Sequence, residues 1–323
     1  MSHYSPIVAA LVTMLLTTLI LISKFGKDIP DIPNERSLHD APVPRIGGVA
    51  IMAGLLAGWA LMLTSLKWWI VLPMIGLFII SLLDDMHSLP VKKRLMAQLA
   101  AAAILVLGSG LFAQQGLAIA LFVLLLTVWM TNLYNFMDGA DGLSGGMALF
   151  GFSFYGVAAL MNGDDTFAMM NFTIGAAALG FLYNNFHPAK VFMGDAGSIP
   201  LGFLAAGMGL WGWQQGYWLG WFPLVAFMPF VLDASVTLVK RTMRGAKVTE
   251  AHREHYYQRL IQMGWSHSKL ALVEYMLMLA AGLGGLVCIK QALPWYLLLV
   301  WAGIYLILML IIDSKWKKWR APA

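Results

Sequence analysis

The chain has 323 residues, of which 60% are hydrophobic and only 11% charged, and its mean hydropathy is +0.74. Soluble domains run at about 45–50% apolar and about 25% charged, so this chain has too little polar surface for a water-soluble fold, and a bilayer is its solvent. The net charge of +5 does not point to nucleic acid, because the basic residues are distributed by membrane side. Cys288 is the one cysteine. It excludes an internal disulfide and a thiolate metal site, and in its apolar run it reads as a small buried hydrophobe.

A helix needs about 20 mostly apolar residues to cross the hydrocarbon core. The first such run, 5–23, has no basic stretch before it, whereas Lys24 and Lys27 follow it. That is the pattern of a retained span with its amino terminus outside. Further runs lie near 46–64, 68–83, 95–112, 118–134, 142–161, 168–186, 199–213, 217–239, 268–289 and 295–312. The expectation is an all-α polytopic membrane protein of about eleven transmembrane helices, forming a single catalytic domain over 1–323. No fixed-period repeat occurs, and the longest non-membrane stretch, 240–267, is too short for a domain of its own.

Eleven spans put Lys24, Lys27, Arg36, Arg45, Lys92, Lys93, Arg94, Lys190, the basic residues of 240–269 and the tail Lys315, Lys317, Lys318 and Arg320 on one face. The other face keeps only Lys67 and Lys290. Nineteen against two marks the first face as cytoplasmic. The amino terminus is then periplasmic and the carboxyl terminus cytoplasmic.

The polar clusters fall on that same face. Asp84 and Asp85 close the third span. Adjacent helical positions point about 100° apart, so the two carboxylates serve different partners, and abutting an apolar span they are costly unless satisfied. A pair of interfacial anchors facing water is the plain alternative. Asn132, Asn135 and Asp138 recur every three residues, on one helical face. Asp141 follows within Asp138-Gly139-Ala140-Asp141-Gly142. Such oxygens suit a hard cation, and glycine lets backbone approach a phosphate. A helix cap explains Asp141-Gly142 cheaply but not two asparagines in an apolar span. Gly194-Asp195-Ala196-Gly197-Ser198, after His187-Pro188 and Lys190, suits a Mg²⁺-diphosphate site or a plain turn with a cap. The loop 240–267 sets His252 and His255 among Arg241, Arg244, Lys247, Arg253 and Arg259. Zinc would want a third ligand at defined spacing; phosphate recognition by histidine and arginine fits better than zinc, and a merely solvated basic loop is the plain alternative. Gly207-Met208-Gly209-Leu210-Trp211-Gly212 matches a dinucleotide fingerprint by letters. It lies inside an apolar span with no strand before it, so helix packing explains it, as it does Gly54 and Gly58.

Together with Pro33 to His39 and Pro42-Val43-Pro44-Arg45-Ile46-Gly47-Gly48, these motifs resemble, in order and spacing from about residue 30 to 265, the polyprenyl-phosphate N-acetylhexosamine-1-phosphate transferases. The resemblance implies that a UDP-N-acetylhexosamine gives its sugar-1-phosphate to undecaprenyl phosphate, yielding a lipid-diphosphate-sugar and UMP. It implies Mg²⁺, with Mn²⁺ as a substitute, held by Asp195 and Asp138, and Asp84 and Asp85 as the family's aspartate pair, one of them a proposed base. Asp138 and His255 complete the catalytic set. Substrate contacts fall to Asn132, Asn135, Asp141, His252, Arg253 and Arg45, with Lys92, Lys93, Arg94 and Lys190 at the depth of a lipid phosphate. The setting is a bacterial inner membrane, with the site cytoplasmic, membrane lipids around it and a homodimer allowed. Two features depart from the family. The lysine often found before the glycine pair is absent, which leaves its work to His39 or Arg45. The histidine motif reads His252-Arg253-Glu254-His255-Tyr256-Tyr257 in place of consecutive histidines, which disfavours the muramoyl-pentapeptide branch and favours an initiator of O-antigen or another surface polysaccharide.

A phosphate is mostly dianionic at neutral pH, so a strong base is not obligatory. Bringing two anions into line is the harder task, and it calls for cations. A transporter would place charges at the bilayer midplane on broken or repeated helices; here they sit at span ends on one side. A lipid-diphosphate hydrolase would share the acidic motifs without needing a nucleotide site.

Overall fold

The computed structural model describes residues 2–23, 30–33, 38, 41–247, 252–290 and 296–320. Lys24, Lys27, Arg36 and His39, which the sequence places on the cytoplasmic face, lie outside the described residues, as does the side chain of Lys290.

An apolar chain in lipid must satisfy every backbone amide within its own segment, and this one is helical nearly throughout. The helices are α1 (Ser5–Ile22), α2 (Gly47–Trp59), α3 (Trp68–His87), α4 (Val91–Gly108), α5 (Leu111–Phe136), α6 (Leu143–Met161) and α7 (Asp165–Asn185). Then follow α8 (Asp195–Gln214), α9 (Phe222–Ala226), α10 (Met228–Met243), α11 (Tyr256–Gln262), α12 (His267–Lys290) and α13 (Tyr296–Arg320). Among the described residues, eight helical segments are long and apolar enough to cross a membrane. The expected runs 95–112 and 199–213 are the helices α4 and α8, the first opening on Lys92, Lys93 and Arg94. The run 217–239 is broken at Phe227 into α9 and α10.

α8 is the hub. It packs against α2, α3, α5 and α6, and nearly every residue from Ala196 to Gly212 is buried. Small residues allow this: a Cβ on Gly202 would sit 2.8 Å from the Met130 carbonyl oxygen of α5. Gly209 and Gly212, letters of the apparent dinucleotide fingerprint, lie against Tyr155 with Pro223 and against the Trp218 ring, which is packing and nothing more. Likewise Gly54 meets Thr13 and Gly58 meets Ser5 where α2 crosses α1. Large apolar side chains face outward instead, among them Leu11, Leu15, Phe122, Leu125, Ile307 and Leu310, as lipid-facing surfaces require. Cys288 is buried, as expected.

Two short strands, β1 (Pro30–Asp31) and β2 (Val43–Pro44), pair antiparallel. They are the only strands among the described residues, and they tie down the loop that leads into α2.

Candidate active site

The two glycine-rich motifs are one structure. Arg45 pairs with Phe192 in a parallel bridge, the Gly47 amide donates to the Phe192 carbonyl at 2.8 Å, and the Gly48 amide donates to Met193 at 2.8 Å. The start of α2 thereby lies against the start of α8. A Cβ on Gly48 would fall 2.2 Å from the Gly197 nitrogen, so glycine is required there for close approach, not for an unusual φ.

This junction builds one wall of a cavity of about 800 Å³, lined by Arg45, Arg94, Asn132, Asn135, Asp138, Asp141, Asp195, His252 and His255 among others. Residues spread over more than 200 positions of sequence thus converge at one end of the helix bundle. A flank of Leu77, Ile80, Val91, Leu95, Leu125, Val128 and Leu238 makes the adjoining wall apolar.

The aspartate pair stands behind that wall. The Asp84 carboxylate accepts the Leu89 amide at 2.6 Å and Arg94 at 2.9 Å. Asp85 accepts the amides of Asp195 and Ala196 at 3.1 and 2.9 Å and forms an ion pair with Arg45 at 2.8 Å. Its side chain is 1% exposed. The two neighbours do serve different partners, each binding one of the arginines that line the cavity. Neither lies in the cavity lining itself; each reaches the cavity through the arginine it holds.

Asp195, first residue of α8, accepts Asn135 at 2.9 Å and lies 3.5 Å from Arg94. Asn135 also donates to Ser198. Asn132 donates to Gln98 at 2.6 Å. The three-residue spacing of Asn132, Asn135 and Asp138 does put them on one cavity-facing side. Burial, reinforced by the Asp195 and Asp85 carboxylates, pushes Asp138 up to about 7. The Ser144 hydroxyl and Arg45 pull the other way. Asp138 and Asp195, whose carboxylates face the cavity, are oxygen donors of the kind that could hold a hard divalent cation.

Asp141 is held differently. Its carboxylate lies 2.6 Å from His187 Nδ1 and 3.3 Å from His267 Nδ1, and it accepts the Ala189 amide at 3.1 Å. Burial would raise it, but the bonds from His267 and His187 outweigh that and bring Asp141 down to about 2. These three side chains place one ligand atom each within 4.8 Å of one another. Two imidazoles with one carboxylate suit a softer ion than Mg²⁺; as they stand, they are a hydrogen-bonded clamp between the α5–α6 turn, the 187–190 loop and α12.

The histidine loop contributes less cation than its sequence promised. Glu254 binds both Arg241 and Arg244, and Asp313 binds Arg259. His252, His255 and Gln258 reach the cavity wall and the loop's arginines do not. Burial first, then the nearby His255 and Arg241, hold His252 down at about 4, so it is neutral at physiological pH. Lys92, Lys93, Lys190 and Arg253 also lie outside the lining, and only Arg94 of the expected lipid-phosphate group is brought in. The sequence reading missed Gln98, Asn185, His267 and Asp31, which line the cavity, and His187, which reaches it only through Asp141.

A membrane bundle with this ordered set of motifs around one polar cavity defines a class of enzyme. The sequence model of glycosyl transferase family 4 matches residues 67–212. A probable undecaprenyl-phosphate N-acetylglucosaminyl 1-phosphate transferase of Bacillus subtilis is 31% identical, over 95% of this chain and 89% of its own. The decaprenyl-phosphate N-acetylglucosaminephosphotransferase of Mycobacterium tuberculosis strain H37Rv is 32% identical, over 76% and 72% respectively. A phospho-N-acetylmuramoyl-pentapeptide-transferase of Staphylococcus saprophyticus is more distant, at 25% over 88% and 98%. The chain therefore belongs to the polyprenyl-phosphate N-acetylhexosamine-1-phosphate transferases of glycosyl transferase family 4. It is a multi-pass membrane phosphoglycosyl transferase.

Proposed function

We propose that the chain transfers an N-acetylhexosamine-1-phosphate from a UDP-sugar to undecaprenyl phosphate, releasing UMP, at the cytoplasmic face of a bacterial inner membrane. The product would initiate O-antigen or another surface polysaccharide. The observation that carries this reading is the single cavity of about 800 Å³ in which Asp138, Asp195, Arg45 and Arg94 meet an apolar flank. Such a cavity accepts a diphosphate and a prenyl phosphate together. The nineteen-to-two charge bias supports eleven spans, a periplasmic amino terminus and a cytoplasmic carboxyl terminus.

Asp138 and Asp195 would hold Mg²⁺, with Mn²⁺ as a substitute. Bound there, the ion would supply charge neutralisation on the diphosphate. Asn135 fixes Asp195 by donating to it, and Asp85 fixes the helix that carries Asp195 by accepting its first two amides. Arg45 and Arg94 supply the remaining positive charge, each aimed by one aspartate of the pair. His255 contributes a donor from the opposite wall. The incoming lipid phosphate needs no strong base, since its second pKa is about 6; alignment and charge neutralisation are the protein's task.

Undecaprenyl phosphate and a panel of UDP-sugars, supplied to membranes that contain the chain, test this reading. Lipid-linked sugar and UMP should appear in equal amount with at least one UDP-N-acetylhexosamine. Absence of both with every donor would overturn it. A second reading, transfer of phospho-N-acetylmuramoyl-pentapeptide, draws on the relatives of that name at 25–30% identity; the separated His252 and His255 weigh against it.

A further inference from the structure

The segment that presents His255 is held from behind by two acids that take no part in the cavity. Asp233, on α10 and 5% exposed, accepts the Tyr256 amide at 2.8 Å and the Tyr257 amide at 2.9 Å. These are the first two amides of α11, which otherwise lack partners. Asp233 also accepts the Thr237 hydroxyl and lies 3.3 Å from His255 Nδ1. Asp313, on α13, receives three donors at once: Arg259 at 2.8 Å, the Tyr256 hydroxyl at 3.1 Å and the Lys240 ammonium. Arg259 in turn lies over the Tyr256 and Trp316 rings, at 4.8 and 5.8 Å. On its far side the segment meets the end of α5, where the Tyr257 hydroxyl donates to the Phe136 carbonyl at 3.1 Å and the His255 ring stacks on Phe136.

We propose that Asp313 is a positioning residue, which acts through Tyr256 and Arg259 to hold the His255 segment against the end of α5, with Asp233 as the inner clamp. The last helix, beyond the matched region 67–212, is then part of the machinery. Tyr256 is the joint: its amide goes to Asp233 on α10, while its hydroxyl accepts Lys240 of α10 and donates to Asp313 of α13, so it ties the two helices together. Loss of Asp313 removes the acid that Arg259, Lys240 and the Tyr256 hydroxyl share, while leaving every cavity-lining side chain chemically intact. Misplacement of a binding group by about 1 Å costs up to about a hundredfold in rate.

The inference rests on the transfer reaction proposed above, and two independent readouts separate them. In purified full-length protein, Asp313→Asn should lower kcat on the order of tenfold to a hundredfold with a smaller change in KM for the UDP-sugar. Asp313→Glu should recover most of it. In a His255→Ala background, Asp313→Asn should cost little further, because residues that act as one unit are not additive. Hydrogen exchange should rise in 252–262 of Asp313→Asn and stay unchanged in α1 to α8. An equal loss in both backgrounds, or faster exchange throughout the bundle, would show a structural role only. Unchanged exchange in 252–262 would overturn the proposal even if the wild-type chain proved inactive as a sugar-phosphate transferase, a result that would instead sink the proposed reaction.

Discussion

Asp85 and Asp195, 110 residues apart, are joined by a bond in which the first uses its carboxylate and the second only its backbone. Asp85 accepts the amides of Asp195 and Ala196, so it caps α8 from outside and leaves the Asp195 side chain free for Asn135 and the cavity. A carboxylate at a helix N-terminus is favoured by the exposed amides and the helix dipole. The same carboxylate neutralises Arg45.

Asp85→Asn keeps the shape but removes the charge that Arg45 and the amides bind. Breaking charged hydrogen bonds of this kind costs about 1.5–3 kcal/mol, or roughly tenfold to a hundredfold in rate where the positioned group is catalytic. The double variant Arg45→Met with Asp85→Asn should lose less than the two single losses combined, measured as kcat/KM for the UDP-sugar. Strict additivity would separate the two residues.

The aspartates themselves were legible in sequence because a polar residue inside an apolar run is costly unless it serves a site. Their partners were not. The three-residue period placed Asn132, Asn135 and Asp138 on one face, and the cavity has them there. Nothing local foretold that Arg45 would bridge to Phe192 or that Glu254 would take up Arg241 and Arg244. Ion pairs across a loop leave no periodic trace. Asp233 and Asp313 escaped for a related reason: each is a single acid, one inside the run 217–239 and the other just past 295–312, and its meaning lies in which helix packs beside it. Hydropathy likewise found a helix at 217–239 but could not find its break at Phe227.

Asp195→Asn should lower turnover by several orders of magnitude, since metal-ion stabilisation is worth several kcal/mol and each 1.36 kcal/mol is about tenfold. Asp164→Ala is the contrasting variant. Asp164 caps α7 through the Phe167 amide at 2.8 Å and accepts the Tyr217 hydroxyl. Its loss should cost about 1 kcal/mol of stability and leave kcat alone. Near-normal turnover of Asp195→Asn at ordinary Mg²⁺ would remove it from the ligand set.

Acidity gives a further expectation. Asp138 sits at about 7 in the folded chain, against about 3.9 for an unfolded aspartate. Between those values the folded state binds the proton and the unfolded state does not, so stability falls as pH rises through about 4 to 7. A divalent cation bound at Asp138 would replace that proton. Thermal melting of the metal-free protein in detergent should therefore occur at a lower temperature at pH 8 than at pH 5.5. Added Mg²⁺ should raise it more at pH 8, with protons released on binding. A Mg²⁺ effect that is independent of pH would argue against Asp138 as a ligand.

The cytoplasmic placement of the site is open to thiol labelling. Ser88 and Ser266 are exposed near the cavity end of the bundle, whereas Asp165 is exposed at the other end. In a Cys288→Ala background, cysteine at Ser88 or Ser266 should react with an impermeant reagent only after the inner face is opened, and cysteine at Asp165 in intact cells. Labelling of Ser88→Cys from outside would invert the topology.

The bond that breaks can be assigned by isotope. An ordinary glycosyltransferase attacks the anomeric carbon and releases UDP; a pair of carboxylates flanking the sugar, as glycoside hydrolases use, would serve such an oxocarbenium centre. Here Asp84 and Asp85 are turned onto Arg94 and Arg45, while Asp138 and Asp195 face the cavity among cations suited to a diphosphate. Attack should accordingly fall on the phosphorus that bears the sugar, with the lipid phosphate as nucleophile and UMP as the leaving group. One phosphoanhydride is exchanged for another, so the equilibrium should lie near unity, and excess UMP should drive the lipid product back to UDP-sugar. A donor labelled at the β-phosphorus should pass its label into the lipid fraction. Label recovered in UDP, with none in lipid, would show that the sugar travels without its phosphate and that the reaction proposed for this chain is the wrong one.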